Sequence, residues 1–280
     1  MSFLIRPASV SDIEDLHHLA TSLSARGFLT LPADREALEK MLADSERSFR
    51  GALESPDQGR YLFALEDSER GEVVGSSLIV ARHGTPESPH LYFAVNPEKR
   101  TLRFQAETIG RTELGGLILN PDYRGRPEKL GKRLSYIRLL YIWRFPERFR
   151  EAVLAEILPP FTPDGLSPLW EALGRKFTGL DYREADRLSR ENKEFILSCF
   201  PKEEIPIDSL PENVRPLIGV PGPDTEPVVK ILTDVGFRYL NQVDPFDGGP
   251  HYGLNRSEIR QHVVVQCLGG ADLRFEIPGI

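Results

Sequence analysis

The chain opens on a short apolar run, residues 3–6, that reads as an edge strand. Ser9 and Asp12 then offer N-cap chemistry ahead of Ile13, Leu16, Leu19 and Ala20, which recur at helical spacing. A second helical stretch covers residues 32–49 and is broken by Gly51. Residues 61–66 and 73–80 are apolar runs separated by Asp67-Ser-Glu-Arg-Gly71, turn chemistry that predicts a hairpin. A further strand pair is expected from residues 90–95 and 102–106, on either side of Asn96-Pro97. Residues 114–119 form a bounded apolar run, the pattern of a buried central strand. Leu134, Ile137, Leu140 and Tyr141 line one face of a helix expected over 130–143. A short strand over 152–158 ends at Pro159-Pro160, and helices are expected over 168–177 and 181–200. Residues 201–222 read as a Pro- and Glu-rich connector. A helix over 226–235 stops at Gly236. Strands follow at 237–241 and 263–268, with the tight turn Asp247-Gly-Gly-Pro250 between them. Helices and strands mix throughout. The fold class is therefore α/β (α+β), with a mixed, largely antiparallel central sheet flanked by helices.

Composition narrows the function classes. The 280 residues are 40% apolar and 28% charged, an ordinary globular balance. Lys plus Arg is 35 and Asp plus Glu is 42, a net charge of −7 that argues against a general nucleic-acid binder. No apolar run approaches the ~18 residues of a membrane span, and the N-terminus turns acidic too early for a secretory signal. Cys199 and Cys267 are too few for a disulfide framework or a cysteine-rich zinc site, so a cytoplasmic setting is expected. His17 and His18 are adjacent on a helix and point about 100° apart, so they form no joint metal site.

The segment richest in chemistry is Glu113-Leu-Gly-Gly-Leu-Ile-Leu-Asn-Pro-Asp-Tyr-Arg-Gly-Arg126, followed by Pro-Glu-Lys-Leu-Gly-Lys-Arg-Leu134. It reads as a buried strand, a Pro turn, a basic Gly-containing loop and a helix. Such a loop can aim backbone N–H groups and a helix N-terminus at a phosphate. Arg124, Arg126, Lys129 and Lys132 add positive charge to an otherwise acidic chain. The same residues also suit a basic helix start on a solvated surface.

Leu117 to Arg126 is similar to motif A of the GNAT acyl-CoA N-acyltransferases, and Ile5-Arg-Pro-Ala-x-x-x-Asp12 is similar to the start of that fold. The resemblance implies a splayed central strand that holds a pantetheine arm, here at Leu117 and Leu119. It also implies a loop that cradles the CoA pyrophosphate, here Arg124, Gly125, Arg126, Lys129, Gly131 and Lys132. A narrower resemblance, to the arginine N-succinyltransferase family, runs nearly end to end. It rests on segments 29–33, 65–68 and 113–121, on Ser167-Pro-x-Trp-x-x-Leu-Gly174, Lys176-Phe177 and Ala185-Asp186, and on Gly236-Phe-Arg-Tyr-x-Asn241 with Phe246-Asp-Gly-Gly-Pro250. This resemblance implies succinyl-CoA or another acyl-CoA as cosubstrate and no metal. The acceptor would be the α-amine of arginine or a related basic amino acid, in arginine catabolism. Attack would be direct, within a ternary complex, in a homo-oligomer or with a paralogous subunit. Residues 1–200 would form the acyl-CoA-binding core, and residues 201–280 would complete the substrate site and pack with it as one unit.

Two departures from the family pattern stand out. Pro127-Glu128 interrupts the Arg-x-x-Gly-x-Gly loop, and Pro supplies no N–H, so phosphate binding is expected to lean on Lys129 and Lys132. The resemblance also implies a proton-donor His in an Ile-Gly-x-x-His-Pro segment. This chain reads Ile218-Gly-Val-Pro-Gly222-Pro223, and glycine transfers no proton. Glu113, at the start of the motif A strand, is expected to serve as the base, with His251 a second candidate. Asp247, with Gly248 and Gly249, is expected to hold a cationic substrate as a carboxylate holds a guanidinium. The same Asp also suits a turn. Trp170 and Phe177 are expected in the core. The lost His keeps a rival reading open: a non-catalytic relative that binds acyl-CoA or an amino acid as a regulatory or assembly subunit.

Overall fold

The computed structural model describes residues 2–23, 31–269 and 273–279. Residues 29 and 30 of the family-like segment 29–33 lie outside the described residues. The chain begins with β1 (Phe3–Pro7), α1 (Ile13–Leu23) and α2 (Arg35–Phe49). The expected hairpin is β2 (Arg60–Asp67) and β3 (Glu72–His83), and a second pair is β4 (His90–Asn96) and β5 (Thr101–Glu107). Next come β6 (Arg111–Leu119), α3 (Leu130–Arg144) and β7 (Ala152–Glu156). A π-helical turn, Trp170–Gly174, runs into α4 (Arg175–Thr178), followed by α5 (Tyr182–Glu191), α6 (Glu194–Cys199) and β8 (Ile205–Pro206). The chain finishes with α7 (Glu226–Asp234), β9 (Arg238–Val243), β10 (Pro250–Asn255), α8 (Gln261–Leu268) and β11 (Leu273–Phe275).

The strands form one sheet in the order β11-β1-β2-β3-β6-β7-β10-β9-β4-β5-β8. Among the described residues, β1·β11 and β6·β7 pair in parallel, and the other pairs are antiparallel. Period-two alternation sorts the side chains into two cores. Tyr61, Phe63 and Leu65 of β2 and Ile79 and Ala81 of β3 pack with α3. Leu62, Ala64, Leu78 and Val80 face the opposite way, onto α1 and α2. On β6 the parity breaks. Leu114 belongs to the α3 side and Ile118 to the α1/α2 side, although they are four positions apart and a regular strand would put them on one face. The register with β3 shifts between Ser76 and Leu78, opposite Gly115 and Ile118, and this bulge flips the faces. A third apolar cluster gathers Phe93, Trp170, Tyr182, Phe200 and Val243 beneath β4, β5 and β9.

Three expectations change, and one strand is unexpected. β1 is not an edge strand, because β11 pairs beyond it. Residues 263–268 are helical, since the β-branched run packs Val264 and Leu268, one helical turn apart, against α3. The stretch 181–200 breaks into α5 and α6 where the Asn192 side chain accepts from Glu194 N at 2.7 Å and starts a new helix. β10 is not legible in the sequence pattern, because Gly253 interrupts its apolar run.

Candidate functional site

β6 and β7 touch only briefly. Thr112 pairs with Val153 and Glu113 with Leu154, and the ladder then stops. From Gly115 onward β6 stays on β3, with Gly115 opposite Leu78 and Leu119 opposite Gly75. β7 stays on β10 as far as Glu156 opposite His251. The strands therefore splay, as the motif A resemblance implied. Gly116 makes the bulge feasible: its φ is +56°, and a Cβ there would lie 3.0 Å from Leu78 Cβ. The far side is pinned where Gly222 N and Thr225 Oγ1 donate to Leu158 O at 2.8 and 2.6 Å.

A cleft of about 790 Å³ opens in the splay. Residues 113–118 form one wall, and Ala155, Glu156, Ile157 and Leu158 form the other. Thr225, Val228 and Leu232 flank it, and Arg138 lines it from α3. Its lining also includes an acidic group, Asp186 of α5 with Asp244 and Asp247 of the β9–β10 turn, and Lys193 just before α6.

Electrostatics there are strongly coupled. Asp244 accepts from the backbone N–H groups of Phe246 and Asp247 at 2.7 and 3.0 Å, and Asp247 accepts from Gly249 N at 2.7 Å. Burial, then the Glu156 charge, pushes the Asp244 carboxyl up to about 7. Burial and the neighbouring Asp244 hold Asp247 well above the usual carboxylate range. Burial would also raise Glu156, but the His90, His251 and His83 rings outweigh it and hold that carboxyl low. His83 Nδ1 lies 2.9 Å from Glu113, and its Nε2 lies 3.6 Å from Glu156. Burial depresses His83, yet the Glu113 charge and hydrogen bond reverse this and raise it. His90 Nε2 comes within 3.1 Å of Glu156 Oε1 but is poorly aligned, so neither His90 nitrogen has a well-directed partner. His251 is fully buried, stacked at 5.2 Å on His90, with both nitrogens unpartnered; burial pushes it down to about 3. Ligand atoms of His83, His90 and Glu156, and of Glu156, Asp244 and His251, lie within 4.8 Å of one another in each trio.

The residues singled out in the sequence divide unevenly. Glu113, Leu117 and Asp247 line the cleft. Leu119 packs on the α3-side core, 3.6 Å from where a Cβ on Gly131 would sit. Gly248 has φ +83°, and a Cβ on Gly249 would clash with the Ile157 carbonyl, so the turn is pressed against the continuation of β7. In the basic loop, Arg124 donates to Leu119 O at 3.2 Å and approaches Asp224 at 3.8 Å. Gly125 has φ +69° in open space, and Arg126 donates to Asp122 O and stacks over Tyr123. Lys129 takes φ +55° just before α3. Lys132 departs from the expectation of a free phosphate ligand, because its Nζ donates to Asp234 at 2.9 Å. His251 sits in a strand, not an exposed loop. Trp170 is core, stacked on Phe246 at 5.0 Å, whereas Phe177 is 38% exposed.

The sequence reading missed Glu156, His83, His90, Asp244 and Arg138. Two of them leave a faint signal. Glu156 interrupts the apolar run 152–158, and Arg138 sits four residues after Leu134 on an otherwise apolar face.

Gly222 does not line the cleft, and a Cβ on it would lie 2.7 Å from Pro159 O. A histidine at this position would therefore require the Pro159 backbone to shift. The Gly222 carbonyl accepts from the N–H groups of Thr225 and Glu226 at the start of α7.

Residues 3–261 match the sequence profile of the arginine N-succinyltransferase beta subunit family. The chain belongs to that family. It is 35% identical over 268 residues to "Arginine N-succinyltransferase" of Yersinia pestis, covering 91% of this chain and 75% of that one. It is also 35% identical over 269 residues to "Arginine N-succinyltransferase subunit beta" of Pseudomonas aeruginosa, covering 92% and 78%. The solved structure of "arginine/ornithine succinyltransferase subunit AI" from Pseudomonas aeruginosa superposes with a TM-score of 0.76 at 29% identity, over 95% of this chain and 79% of that one. The fold is thus the GNAT-like N-acyltransferase fold of this family, with a mixed open sheet flanked by helices. Among the described residues no helix is long and apolar enough to cross a membrane.

Proposed function

We propose that this chain transfers a succinyl group from succinyl-CoA to the α-amine of arginine or a related basic amino acid. The observation that carries the reading is one cleft with two unlike faces. The unpaired edge of β6 suits a pantetheine arm, and Asp186, Asp244 and Asp247 suit a cationic side chain. On this reading Leu117 and Leu119 flank the pantetheine. Arg124, Gly125, Arg126, Lys129 and Gly131 meet the phosphates, and Lys132 joins them by exchanging Asp234 for phosphate. Asp247 and the Gly248-Gly249 turn take the acceptor's guanidinium.

The chemistry is direct. The neutral α-amine attacks the thioester carbon and its proton passes to Glu113. The C–S bond breaks, and the thiolate leaves to be protonated by water. His83, 2.9 Å from Glu113, positions that carboxylate. Much of the rate comes from holding two substrates together, which needs no side-chain acid.

Residues 1–200 and 201–280 act as one unit on this reading. In support, β10 lies in the sheet between β7 and β9, and Leu232, Val235 and Phe237 share a core with α3. We further propose a cytoplasmic setting, consistent with two free thiols, and assembly with a second subunit, as the family's description as a beta subunit suggests.

The test is thiol release from succinyl-CoA with and without arginine, from pH 7 to 9.5. Arginine-dependent release supports the reading. Its absence at every pH, with CoA binding retained, favours the non-catalytic relative that the missing His raised.

A further inference from the structure

Arg138 is 2% exposed, on the stretch of α3 that packs beneath β6. Its Nε donates to Ser135 O at 3.2 Å, its Nη1 to Gly115 O at 3.0 Å and its Nη2 to Ser135 Oγ at 2.9 Å. A guanidinium carries five N–H donors, so one on each terminal nitrogen has no partner. No carboxylate among the described residues pairs with it, and burial alone brings it down to about 9, still cationic at neutral pH. This is unusual, because charges taken out of water are ordinarily paired. The other cations lining the cleft differ. Lys40 and Arg60 are exposed, and Lys193 lies in the field of Glu156, Glu113 and Asp244. Arg138 is therefore a buried cation in the cleft wall with open donors and no anion of its own.

Its position narrows what the anion is. Gly115, whose carbonyl it holds, is where β6 leaves β7 and the cleft begins. A thioester carbonyl lying on that opened edge would sit beside Arg138, away from the acidic group that suits a cationic acceptor. The terminal carboxylate of a succinyl group stands only two methylenes from the thioester carbon.

We propose that Arg138 binds the terminal carboxylate of a dicarboxylic acyl group and thereby selects succinyl-type thioesters over uncharged ones. This rests on the acyltransferase reading above. It makes Arg138 a specificity residue, one that has no part in the proton transfers.

The experiment compares succinyl-CoA with butyryl-CoA, an uncharged chain of the same four carbons, on the wild-type chain, Arg138→Met and Arg138→Lys. Calorimetry measures binding of both thioesters, and initial rates are taken with arginine and with argininamide. The wild type should favour succinyl-CoA in binding and in kcat/KM. Arg138→Met should lose about 10–100-fold for succinyl-CoA, the loss expected for charge-assisted hydrogen bonds. Butyryl-CoA should be unchanged or improved, and Arg138→Lys should be intermediate. Equal losses for both thioesters would overturn the proposal and leave Arg138 as a brace for the Gly115 carbonyl. A loss that follows arginine but not argininamide would overturn it in favour of the acceptor's carboxylate. Absence of turnover in the wild type defeats the acyltransferase reading alone, since the binding preference still reads Arg138 directly. Equal wild-type affinity for the two thioesters defeats the Arg138 proposal whether or not any variant folds.

Discussion

His83 Nδ1 lies 2.9 Å from Glu113 and its Nε2 3.6 Å from Glu156, so one imidazole from β3 bridges carboxylates on β6 and β7 where those strands part. The ring orients Glu113 and shares any proton that carboxylate takes. Glu113→Gln keeps the shape and removes the proton acceptor. We expect kcat to fall by about 10²–10⁴ with little change in KM for arginine. His83→Asn should lower kcat less, and the double variant should be no worse than Glu113→Gln, because the two act as one device. Additive losses would mean that they work separately.

The acidic group predicts a pH dependence distinct from that of the amine. Asp244 titrates near 7, raised first by burial and then by Glu156, and Asp247 is also raised. Below that pH Asp244 is protonated and neutral and attracts a cation weakly, and above it the carboxylate is charged. KM for arginine should therefore fall as pH rises from 6 to 8, and Asp244→Asn should flatten the change. Deprotonation of the α-amine of free arginine, which its own carboxylate holds above the range of about 7.7–8.0 of a peptide N-terminus, should appear separately in kcat at higher pH. Steady-state kinetics across both ranges separates the two effects.

Gly222 tests whether the family's missing His can simply be restored. A Cβ at this position meets Pro159 O at 2.7 Å, and the backbone is tied to Leu158 and to the start of α7. Gly222→His and Gly222→Ala should each destabilise the fold by about 1–3 kcal/mol, and neither should raise activity. Thermal melts with rate measurements decide this, and a faster Gly222→His enzyme would reverse the conclusion.

The splay itself is open to test at Gly116. Alanine there must adopt φ near +56° and press on Leu78. That costs about 1–2 kcal/mol if the bulge persists. If the bulge straightens, residues 117–119 change faces and the cleft wall is lost. Gly116→Ala should thus weaken CoA binding by calorimetry more than its melting temperature suggests.

Stability at low pH should depend on the first turn of the chain. Arg6 Nη1 and Nη2 donate to Asp12 at 2.8 Å each, and its Nε donates to Glu66 at 2.9 Å. Burial raises the Asp12 carboxyl, but the Arg6 hydrogen bonds and charge reverse this and hold it low. A depressed carboxylate stabilises the fold above its unfolded pKa of about 3.9, and that contribution is lost as pH falls from there toward the folded value. Asp12→Ala should cost about 2–3 kcal/mol at pH 7, less than a fully buried pair, and should shrink the acid-side loss of stability in urea titrations.

Local pattern alone determined much of this molecule. The apolar runs 61–66 and 73–80 with the turn residues between them, the apolar run 114–119 and the single apolar face of helix 130–143 each specify their element, because length, turn chemistry and periodicity are all local signals. Glu113 and Asp247 were also legible as candidates that line the cleft, since a carboxylate at a strand end or beside a Gly-Gly turn leaves a local mark, whereas Leu117 came only through the family resemblance. Other features depended on partners distant in sequence. Val263 to Leu268 reads as a strand until α3 offers a surface for one helical face, and β1 reads as an edge until β11, at the far end of the chain, pairs Leu273 with Phe3. Glu156, Asp244 and His83 come from three separate strands or their ends, and only the sheet order makes them neighbours. Arg138 shows the limit most plainly. In sequence it is one basic residue on a helix. Burial beside Gly115, with no carboxylate among the described residues paired to it, is what makes it a group that needs an anion.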